Sequence, residues 1–183
     1  FGSVIAVNRA VDVPLAERLS ELFVEVLFAP DYDEAALEIL SRKADIRILR
    51  TEERRQTNPG EFDHKRVSGG ILVQDMDGDS EERDEMTVAT RRHPTEREWG
   101  DMIFAFRVAK HVKSNAIVLA KDLATVGVGA GQMSRIDSAR IAIEKARSSL
   151  DGAVVGSDAF FPFADAVELA IGSGVSAFMQ PGG

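Results

Sequence analysis

Strand-like and helix-like patterns of apolar residues alternate along the first part of the chain. Residues 4–7 form a short apolar run that predicts a strand, and apolar residues at helical spacing then continue from Pro14 through Val26. Pro14 suits the first turn of that helix. Asp33 can cap a second helix, and residues 46–49 predict another strand. Alternation of this kind favours an α/β fold.

The middle of the chain is more polar. Residues 50–65 are charged, have little apolar periodicity and predict a mobile loop or excursion, after which residues 67–74 return to strand character. Residues 75–85 form an acidic run that superficially resembles a calcium-binding loop. The later glycine and terminal glutamate of such a loop are not in place, so we interpret the run as a solvated turn.

Helices and strands return in the second half of the chain. Thr95 and Glu98 have the spacing of a capping box, and Trp99 begins the largely apolar helix that follows and runs to Ala109. Four further strands are predicted at residues 116–120, 125–128, 153–155 and 175–179, and two further helices at residues 133–149 and 164–171.

Composition narrows the class of protein. The 183 residues are 44% hydrophobic, enough for one domain that can divide into two lobes. A formal net charge of -8 argues against sequence-independent nucleic-acid binding, and no apolar run approaches the length of a membrane span. The lack of cysteine fits a reducing compartment, so we expect a cytoplasmic protein. The chain lacks an initiator Met, and we expect the polypeptide to extend upstream.

Two groups of residues could carry chemistry but have ordinary explanations. Gly127-Val128-Gly129-Ala130-Gly131 lies between a predicted strand and a predicted helix, where glycines can let amides approach a phosphate. The spacing does not fit a dinucleotide or nucleoside-triphosphate loop, and such a segment, taken alone, is more often a tight strand-to-helix connection than a ligand site. The histidines, His64, His93 and His111, are too widely separated for a metal cluster; the first two are interpreted as surface residues, and the third as an acid-base group or a solvated helix end.

The segment from Ser157 to Asp165 is the most unusual in the chain. It places three phenylalanines around Pro162, with an aspartate at each end, directly before a predicted helix. Aromatic faces suit a flat heterocycle, and a carboxylate can accept hydrogen bonds from ring N–H groups. In the alternative interpretation, which the residues alone favour slightly, the phenylalanines belong to the core and the aspartates cap helices.

Three ordered motifs resemble those of the AICAR formyltransferase family. They are Lys113-Ser114-Asn115-Ala116-Ile117-Val118, then Gly127 through Arg135, then Ser157-Asp158-Ala159-Phe160-Phe161-Pro162-Phe163. The segments at the start, Phe1-Gly2, and at the end, Gln180-Pro181-Gly182-Gly183, are also similar to the family. The resemblance covers nearly the whole chain and is weakest over residues 50–65.

The resemblance implies a fold, a reaction and partners. The implied fold has the layered α/β subdomains of cytidine deaminases, in a homodimer whose formyltransferase sites form between subunits. The family transfers a formyl group from 10-formyltetrahydrofolate, the cosubstrate, to the 5-amino group of AICAR in purine biosynthesis. A separate domain of the full protein, the IMP cyclohydrolase, has no counterpart here. Residues 1–183 are therefore expected to be part of the formyltransferase domain, truncated at both ends.

The resemblance also assigns roles to particular residues. Asn115 corresponds to a residue beside the nucleotide and the formyl group, where its amide can stabilise charge on the tetrahedral intermediate. Gly2 and Glu25 correspond to positions that contact AICAR. The positions that correspond to the wall of the folate pocket are Arg135, Ile136, Phe160, Pro162 and Asp165. Some relatives suggest a potassium ion near Ser114 and Asp158.

Parts of the family's machinery have no counterpart in the chain. The Lys-His pair that holds the general base lies upstream in the family, and an arginine near the family's C-terminus is also missing; Lys110-His111 belongs to a different segment and is not assigned that role. We therefore expect the chain alone to be inactive. An alternative function is a non-catalytic fragment that binds ligand or forms a dimer.

A zinc deaminase of the same fold fits the sequence poorly. Such enzymes bind zinc through His/Cys/Cys or three cysteines and use a catalytic glutamate. The chain has no cysteine. We expect neither zinc binding nor deaminase activity.

Overall fold

The chain folds into two compact α/β units, Phe1–Asp79 and Ser80–Gly183, in a computed structural model. The structure describes residues 2–51, 60–78 and 82–182. The predicted α/β class is confirmed. Among the described residues, no helix is both long enough and apolar enough to cross a membrane.

The first unit contains a parallel sheet with two crossover helices. Its elements are β1 (Ser3–Ala6), α1 (Val13–Ser20), β2 (Val24–Ala29), α2 (Glu34–Leu40) and β3 (Arg47–Arg50). The strands lie in the order β1-β2-β3 and are all parallel. Asp12 caps α1 by accepting a hydrogen bond from the Leu15 amide at 3.0 Å, and Pro14 lies in the first turn as predicted. The core of this unit includes Leu19, Leu27 and Leu40.

The predicted helix through Val26 was wrong in its second half. The helix ends at Ser20, and residues 24–29 form β2, the central strand of the sheet. A central parallel strand packs on both faces and its sequence is a continuous apolar run, which can match a helical pattern by chance. The two β-branched residues Val24 and Val26 were the signal for a strand.

A β-hairpin follows in the first unit. Strands β4 (Phe62–Val67) and β5 (Gly70–Asp75) pair antiparallel, and Gly69 takes a positive φ of 81° in the turn. The predicted loop over residues 50–65 therefore ends earlier than expected, at Phe62, while residues 52–59 lie outside the described part of the chain. Every residue of both strands is exposed, so no face is buried and no alternation marks the strands in the sequence.

The second unit is built on a four-stranded mixed sheet. Its elements are a 3₁₀ turn (Arg83–Glu85), α3 (Glu96–Lys110), β6 (Ile117–Lys121), β7 (Ala124–Gly129), α4 (Arg135–Glu144), β8 (Val154–Ser157), α5 (Asp165–Gly172) and β9 (Ala177–Met179). The strand order is β7-β6-β8-β9. Strand β6 is antiparallel to both of its neighbours, and β8 and β9 are parallel.

Helices cover both faces of this sheet. Because side chains alternate along β6, Ile117 and Leu119 pack with the helices α4 and α5 on one face. Val118 and Ala120 pack with α3 on the other face. The second unit is therefore a three-layer α/β/α arrangement, whereas the specific likeness to cytidine deaminases stays a prediction.

Three glycines let the helices approach the sheet closely. A Cβ atom at Gly129 would lie 1.9 Å from the Ser138 carbonyl oxygen of α4, and one at Gly127 would lie 2.1 Å from the Ala142 carbonyl oxygen. On the other face, a Cβ at Gly156 would lie 2.5 Å from the Ala105 carbonyl carbon of α3. The glycine-rich segment is thus explained by tight strand-to-helix packing, the second of the two interpretations.

A charged cluster connects α3 to the last strand. The predicted capping box is present: Glu98 accepts from the Thr95 amide at 2.8 Å, and Thr95 Oγ1 accepts from the Glu98 amide at 3.3 Å. Both terminal nitrogens of Arg92 donate to the Glu98 carboxylate, each at 2.9 Å. The NH2 nitrogen also donates to the Ser176 carbonyl oxygen at 2.6 Å. The Ser176 hydroxyl donates to Glu98 Oε1 at 2.6 Å. Hydrogen bonds from Arg92, and then from Ser176 and Thr95, hold the pKa of Glu98 well below its usual range.

Replacing Gly129 by alanine should destabilise the second unit. The added methyl group would overlap the backbone of α4, and overpacking of this kind costs about 1 to 3 kcal/mol. The control is Gly172→Ala, because no atom of the described residues lies within 4 Å of a Cβ there and alanine has a higher helix propensity at the end of α5. Urea unfolding followed by the fluorescence of Trp99, the only tryptophan, measures both variants. Equal midpoints for the two variants would contradict the packing argument.

The stability of the second unit should fall in acid. The pKa of Glu98 is lower in the folded state than in the unfolded state, so its contribution is fully present above the ordinary pKa of about 4.5 and is lost as the pH falls further. Glu98→Gln should therefore reduce the fall in unfolding free energy between pH 5 and pH 3, measured by urea unfolding at a series of pH values. Glu168→Gln, at an exposed position of α5, is the control and should keep the wild-type decline.

Candidate active site

The topology of the second sheet brings three loop segments to one end. Since β6 is antiparallel to β7 and β8, the start of β6 lies beside the ends of its two neighbours. Ile117 pairs with Gly129 on one side and with Ser157 on the other. The segments that adjoin these three residues are Asn115-Ala116, Ala130-Gly131-Gln132 and Asp158-Ala159, and all three belong to the motifs found in the sequence.

Asn115 lies two residues before β6 and is held by the segment after β7. Its backbone amide donates to the Gln132 carbonyl oxygen at 3.2 Å, and its side-chain Nδ2 donates to the same oxygen at 2.8 Å. The peptide bond from Ser114 to Asn115 is cis. The Gly131 amide donates to the Lys113 carbonyl at 2.7 Å, which joins the two segments a second time.

Arg135, the first residue of α4, spans the site. Its NH1 nitrogen donates to Asn115 Oδ1 at 2.9 Å, its NH2 nitrogen donates to Asp158 Oδ1 at 3.0 Å, and its Nε donates to Ser157 Oγ at 3.1 Å. The side chains of Arg135 and Asp158 are only 11% and 15% exposed, so this ion pair is shielded from water. The guanidinium group therefore joins two of the three segments at the end of the sheet, the one before β6 and the one at the end of β8.

Helix α4 is fixed at its start by local contacts. Ser134 is the N-cap, and its hydroxyl accepts from the Asp137 amide at 3.2 Å and donates to Asp137 Oδ2 at 2.5 Å. Hydrogen bonds from Ser134 and Arg140 lower the pKa of Asp137. One turn into the helix, the fully buried Ser138 donates its hydroxyl to the Asn115 carbonyl oxygen at 2.7 Å. Helix α4 thus contacts Asn115 through two side chains, Arg135 and Ser138.

The aromatic segment divides into a core residue and exposed residues. Phe161 packs edge-on against Phe178, with ring centroids 6.1 Å apart, and its amide donates to Gln180 Oε1 at 2.7 Å. Phe160 is 46% exposed and Phe163 is 72% exposed. Phe161 alone fits the interpretation as core, and the two exposed rings are available to a ligand.

The two aspartates of the segment have different surroundings. Asp158 caps no helix, because its carboxylate accepts from Arg135 and, at 2.9 Å, from the Ala116 amide. Asp165 is the first residue of α5; its carboxylate is exposed and accepts from the Ala166 amide at 2.7 Å. Of the other predicted folate-pocket residues, Pro162 is exposed and Ile136 is half-buried against the core.

The remaining predicted contacts, Gly2 and Glu25, adjoin each other in the first unit. A Cβ at Gly2 would lie 2.2 Å from Glu25 Cγ and 2.3 Å from its Oε1, so a larger residue at position 2 would require the Glu25 side chain to move. The register of β1 and β2 shifts between Ser3 and Val4, and Glu25 lies at this irregularity with an exposed side chain. The sequence prediction put both residues at the nucleotide, and the structure shows them in contact.

Metal-binding groups do not converge in the described residues. No group of three or more histidine, aspartate or glutamate side chains is placed to hold an ion within residues 2–51, 60–78 and 82–182. His64 and His93 are exposed, as expected for surface residues, and His111 is the exposed C-cap of α3, which fits a solvated helix end. Asp158, the predicted neighbour of a potassium ion, already carries a guanidinium group at 3.0 Å, which disfavours a second cation on the same oxygen.

Sequence reasoning missed the residues that support Asn115. Ser138 and Ser157 are both fully buried, and Asp158 had been linked only to an ion, to a heterocyclic ligand or to a helix cap. A serine one turn after an arginine, in an otherwise apolar helix face, was the available signal for Ser138. No local pattern indicates the contact of Ser157 with Arg135, because the two residues are 22 positions apart in the chain.

Comparison with known proteins agrees with the family resemblance of the sequence motifs. Residues 1–145 match the model of the family described as AICARFT/IMPCHase bienzyme. Among the curated proteins, the bifunctional purine biosynthesis protein PurH of Thermoanaerobacter sp. (strain X514) is 50% identical over 183 residues, covering 100% of this chain and 35% of the relative. The PurH proteins of Anoxybacillus flavithermus and Magnetococcus marinus are 51% and 48% identical, each over 100% of this chain and 36% of the relative. The chain thus spans about 35% of the length of the curated relatives that it matches.

Proposed function

Because this chain belongs to the AICARFT/IMPCHase bienzyme family, whose matched relatives are bifunctional purine biosynthesis proteins, we propose that it carries part of the site for formyl transfer to AICAR. The donor is 10-formyltetrahydrofolate and the acceptor is the 5-amino group of the nucleotide. The observation that carries the proposal is the placement of Asn115, held by Gln132 and Arg135 at the end of the sheet where three motifs meet.

The proposed reaction forms an oxyanion that a neutral hydrogen-bond donor can stabilise. The amine nitrogen attacks the formyl carbon, the carbonyl oxygen becomes an oxyanion, and the intermediate collapses when the C–N bond to folate N10 breaks. The amine loses a proton and N10 gains one. A fixed N–H of the Asn115 amide can stabilise the oxyanion, since preorganised donors act most strongly where water is excluded. The base that accepts the amine proton is proposed to come from a Lys-His pair outside this chain.

The folate wall is proposed to lie on the exposed part of the aromatic segment. The ring of Phe160 and the ring of Pro162 offer apolar faces to a pterin, and Ile136 extends this surface from α4. The exposed carboxylate of Asp165 can accept hydrogen bonds from pterin N–H groups. Arg135 stays assigned to the same pocket, with its aliphatic stem as the part not engaged in hydrogen bonds.

Gly2 and Glu25 are proposed to contact AICAR in the first unit. Glycine at position 2 leaves space beside the main chain for the Glu25 side chain, and the exposed Glu25 carboxylate can accept from hydroxyl or amino groups. The complete protein, in this proposal, is a cytoplasmic homodimer. Residues 1–183 are proposed to be one part of its formyltransferase domain.

A second candidate function is a non-catalytic part of the enzyme that forms a dimer. The hairpin of β4 and β5 favours it, because Ile71, Leu72 and Val73 are each more than half exposed in adjacent positions. Exposed apolar strands of this kind are unusual on a monomer surface. A test for catalysis decides between the two functions, because only formyl transfer requires Asn115 to contribute to turnover.

Asn115→Ala in the complete enzyme should lower turnover strongly. Loss of one oxyanion donor costs on the order of a hundredfold or more in rate. The 183-residue chain alone should show almost no formyl transfer even when it is folded, because the proposed base lies outside it. Both are measured by formation of formyl-AICAR, with thermal melting to confirm folding. Unchanged turnover in the variant would remove Asn115 from the mechanism, and strong activity of the isolated chain would make His111 the first candidate for the base.

Phe160→Ala and Asp165→Ala should impair the use of folate more than the binding of AICAR. Each removes one stacking or polar contact, worth about 1 to 3 kcal/mol, and so should raise the KM for 10-formyltetrahydrofolate or lower the corresponding kcat/KM. Glu168→Ala is the matched control, since it removes an exposed carboxylate one turn further along α5. Wild-type folate kinetics in both variants would show that the pocket lies elsewhere.

A further inference from the structure

We propose that Arg135 is a positioning residue for catalysis: its guanidinium group fixes the Asn115 carboxamide in the one orientation that presents an N–H to the reacting oxygen. This inference rests on the proposed function. It assigns Arg135 a role through Asn115, in addition to its predicted place in the folate pocket. The carrying observation is the hydrogen bond from NH1 to Asn115 Oδ1 at 2.9 Å.

The surroundings of the carboxamide determine which way it faces. Asn115 Oδ1 accepts from a cationic donor, and Nδ2 donates to the Gln132 carbonyl oxygen. A rotation of the amide by 180° would place Nδ2 against the Arg135 donors and Oδ1 against a carbonyl oxygen, so both contacts would become repulsive. An amide has two N–H groups on Nδ2, and within the described residues only one of them has a partner. The second is the group available to an oxyanion.

The same contact makes that group a better donor. A cation at Oδ1 draws electron density through the amide, and hydrogen bonds in a chain strengthen one another when the local dielectric constant is low. The Arg135 side chain is only 11% exposed, so little solvent screens this effect. Its positive charge is balanced by Asp158 on the far side, which leaves the cluster neutral overall.

Helix α4 supplies the rigidity that positioning requires. Arg135 holds the side chain of Asn115. Three residues later on the same helix, the Ser138 hydroxyl donates to the backbone carbonyl oxygen of Asn115 at 2.7 Å. Nε and NH2 of Arg135 are fixed by Ser157 and Asp158 of a different segment. A lysine at position 135 has one ammonium group and lacks the planar fork, so it cannot make these three contacts together.

A double-mutant cycle in the complete enzyme tests the proposal. The variants are Arg135→Gln, Asn115→Ala and the two combined, with kcat and the KM for folate measured separately. Arg135→Gln should lower kcat by about 10- to 100-fold, with the folate KM changed by about twofold or less, because a misplaced donor loses transition-state contacts. The combined variant should have the kcat of Asn115→Ala alone, because Arg135 then has no carboxamide to position.

The control is Arg140→Gln. It makes the same chemical change on the same helix, at a side chain that is 52% exposed and paired with Asp137, so it should leave kcat unchanged. Additive losses in the combined variant, or a raised folate KM with normal kcat for Arg135→Gln, would overturn the positioning role while leaving the proposed function standing. Normal turnover in Asn115→Ala would instead contradict both the proposed role of Asn115 in formyl transfer and the positioning role of Arg135. The single variant therefore distinguishes this outcome from failure of the positioning role alone.

A spectroscopic measurement covers the case in which Arg135→Gln does not fold. In the 183-residue chain, ¹⁵N NMR of the Asn115 side-chain amide should show a changed chemical shift and faster hydrogen exchange in Arg135→Lys. Arg140→Gln should leave both unchanged. An Asn115 amide signal that is the same in wild type and Arg135→Lys would show that the guanidinium does not hold the carboxamide.

Discussion

The distance between α4 and β7 is the constraint on which the second unit depends. A carbonyl oxygen of the helix lies where the first side-chain carbon of residue 129 would otherwise be. This approach is possible only because glycine has no side chain, and it places the first turn of α4 within hydrogen-bonding reach of the strand ends. Arg135 and Ser138 contact the segment before β6 from that turn. The same glycine thus determines both the close packing of α4 on the sheet and the placement of Arg135 and Ser138 beside Asn115.

The sequence predicted the class of fold and most of the elements, because their signals are local. The capping box at Thr95, the apolar runs of β6 and β8, and the helix after the aromatic segment depend on residues a few positions apart. Strand β2 was missed because a strand buried in the centre of a sheet has no polar alternation. Strand β4 of the hairpin was missed for the opposite reason, since a strand exposed on both faces has no buried face to mark it.

The candidate site was predicted through motifs, and its connections came from the structure. Asn115 was singled out by resemblance, but nothing in the spacing of residues predicts that Arg135 reaches its side chain or that Asp158 accepts from both the guanidinium and the Ala116 amide. Such contacts follow from strand order, which depends on interactions throughout the sheet. The ordinary interpretation was right for Phe161 and for the glycines, which shows that one motif can contain both core residues and exposed ones.

The strand order of the second sheet also determines when a site can exist during folding. The contact from Asp158 to Ala116 joins residues 42 positions apart, and the contact from Arg135 to Asn115 joins residues 20 positions apart. Closing loops of this length is an entropic cost that local helix formation does not offset. The site is thus a product of high contact order: a short peptide with the Asn115 motif would lack it, and it forms only when β6 has paired on both sides.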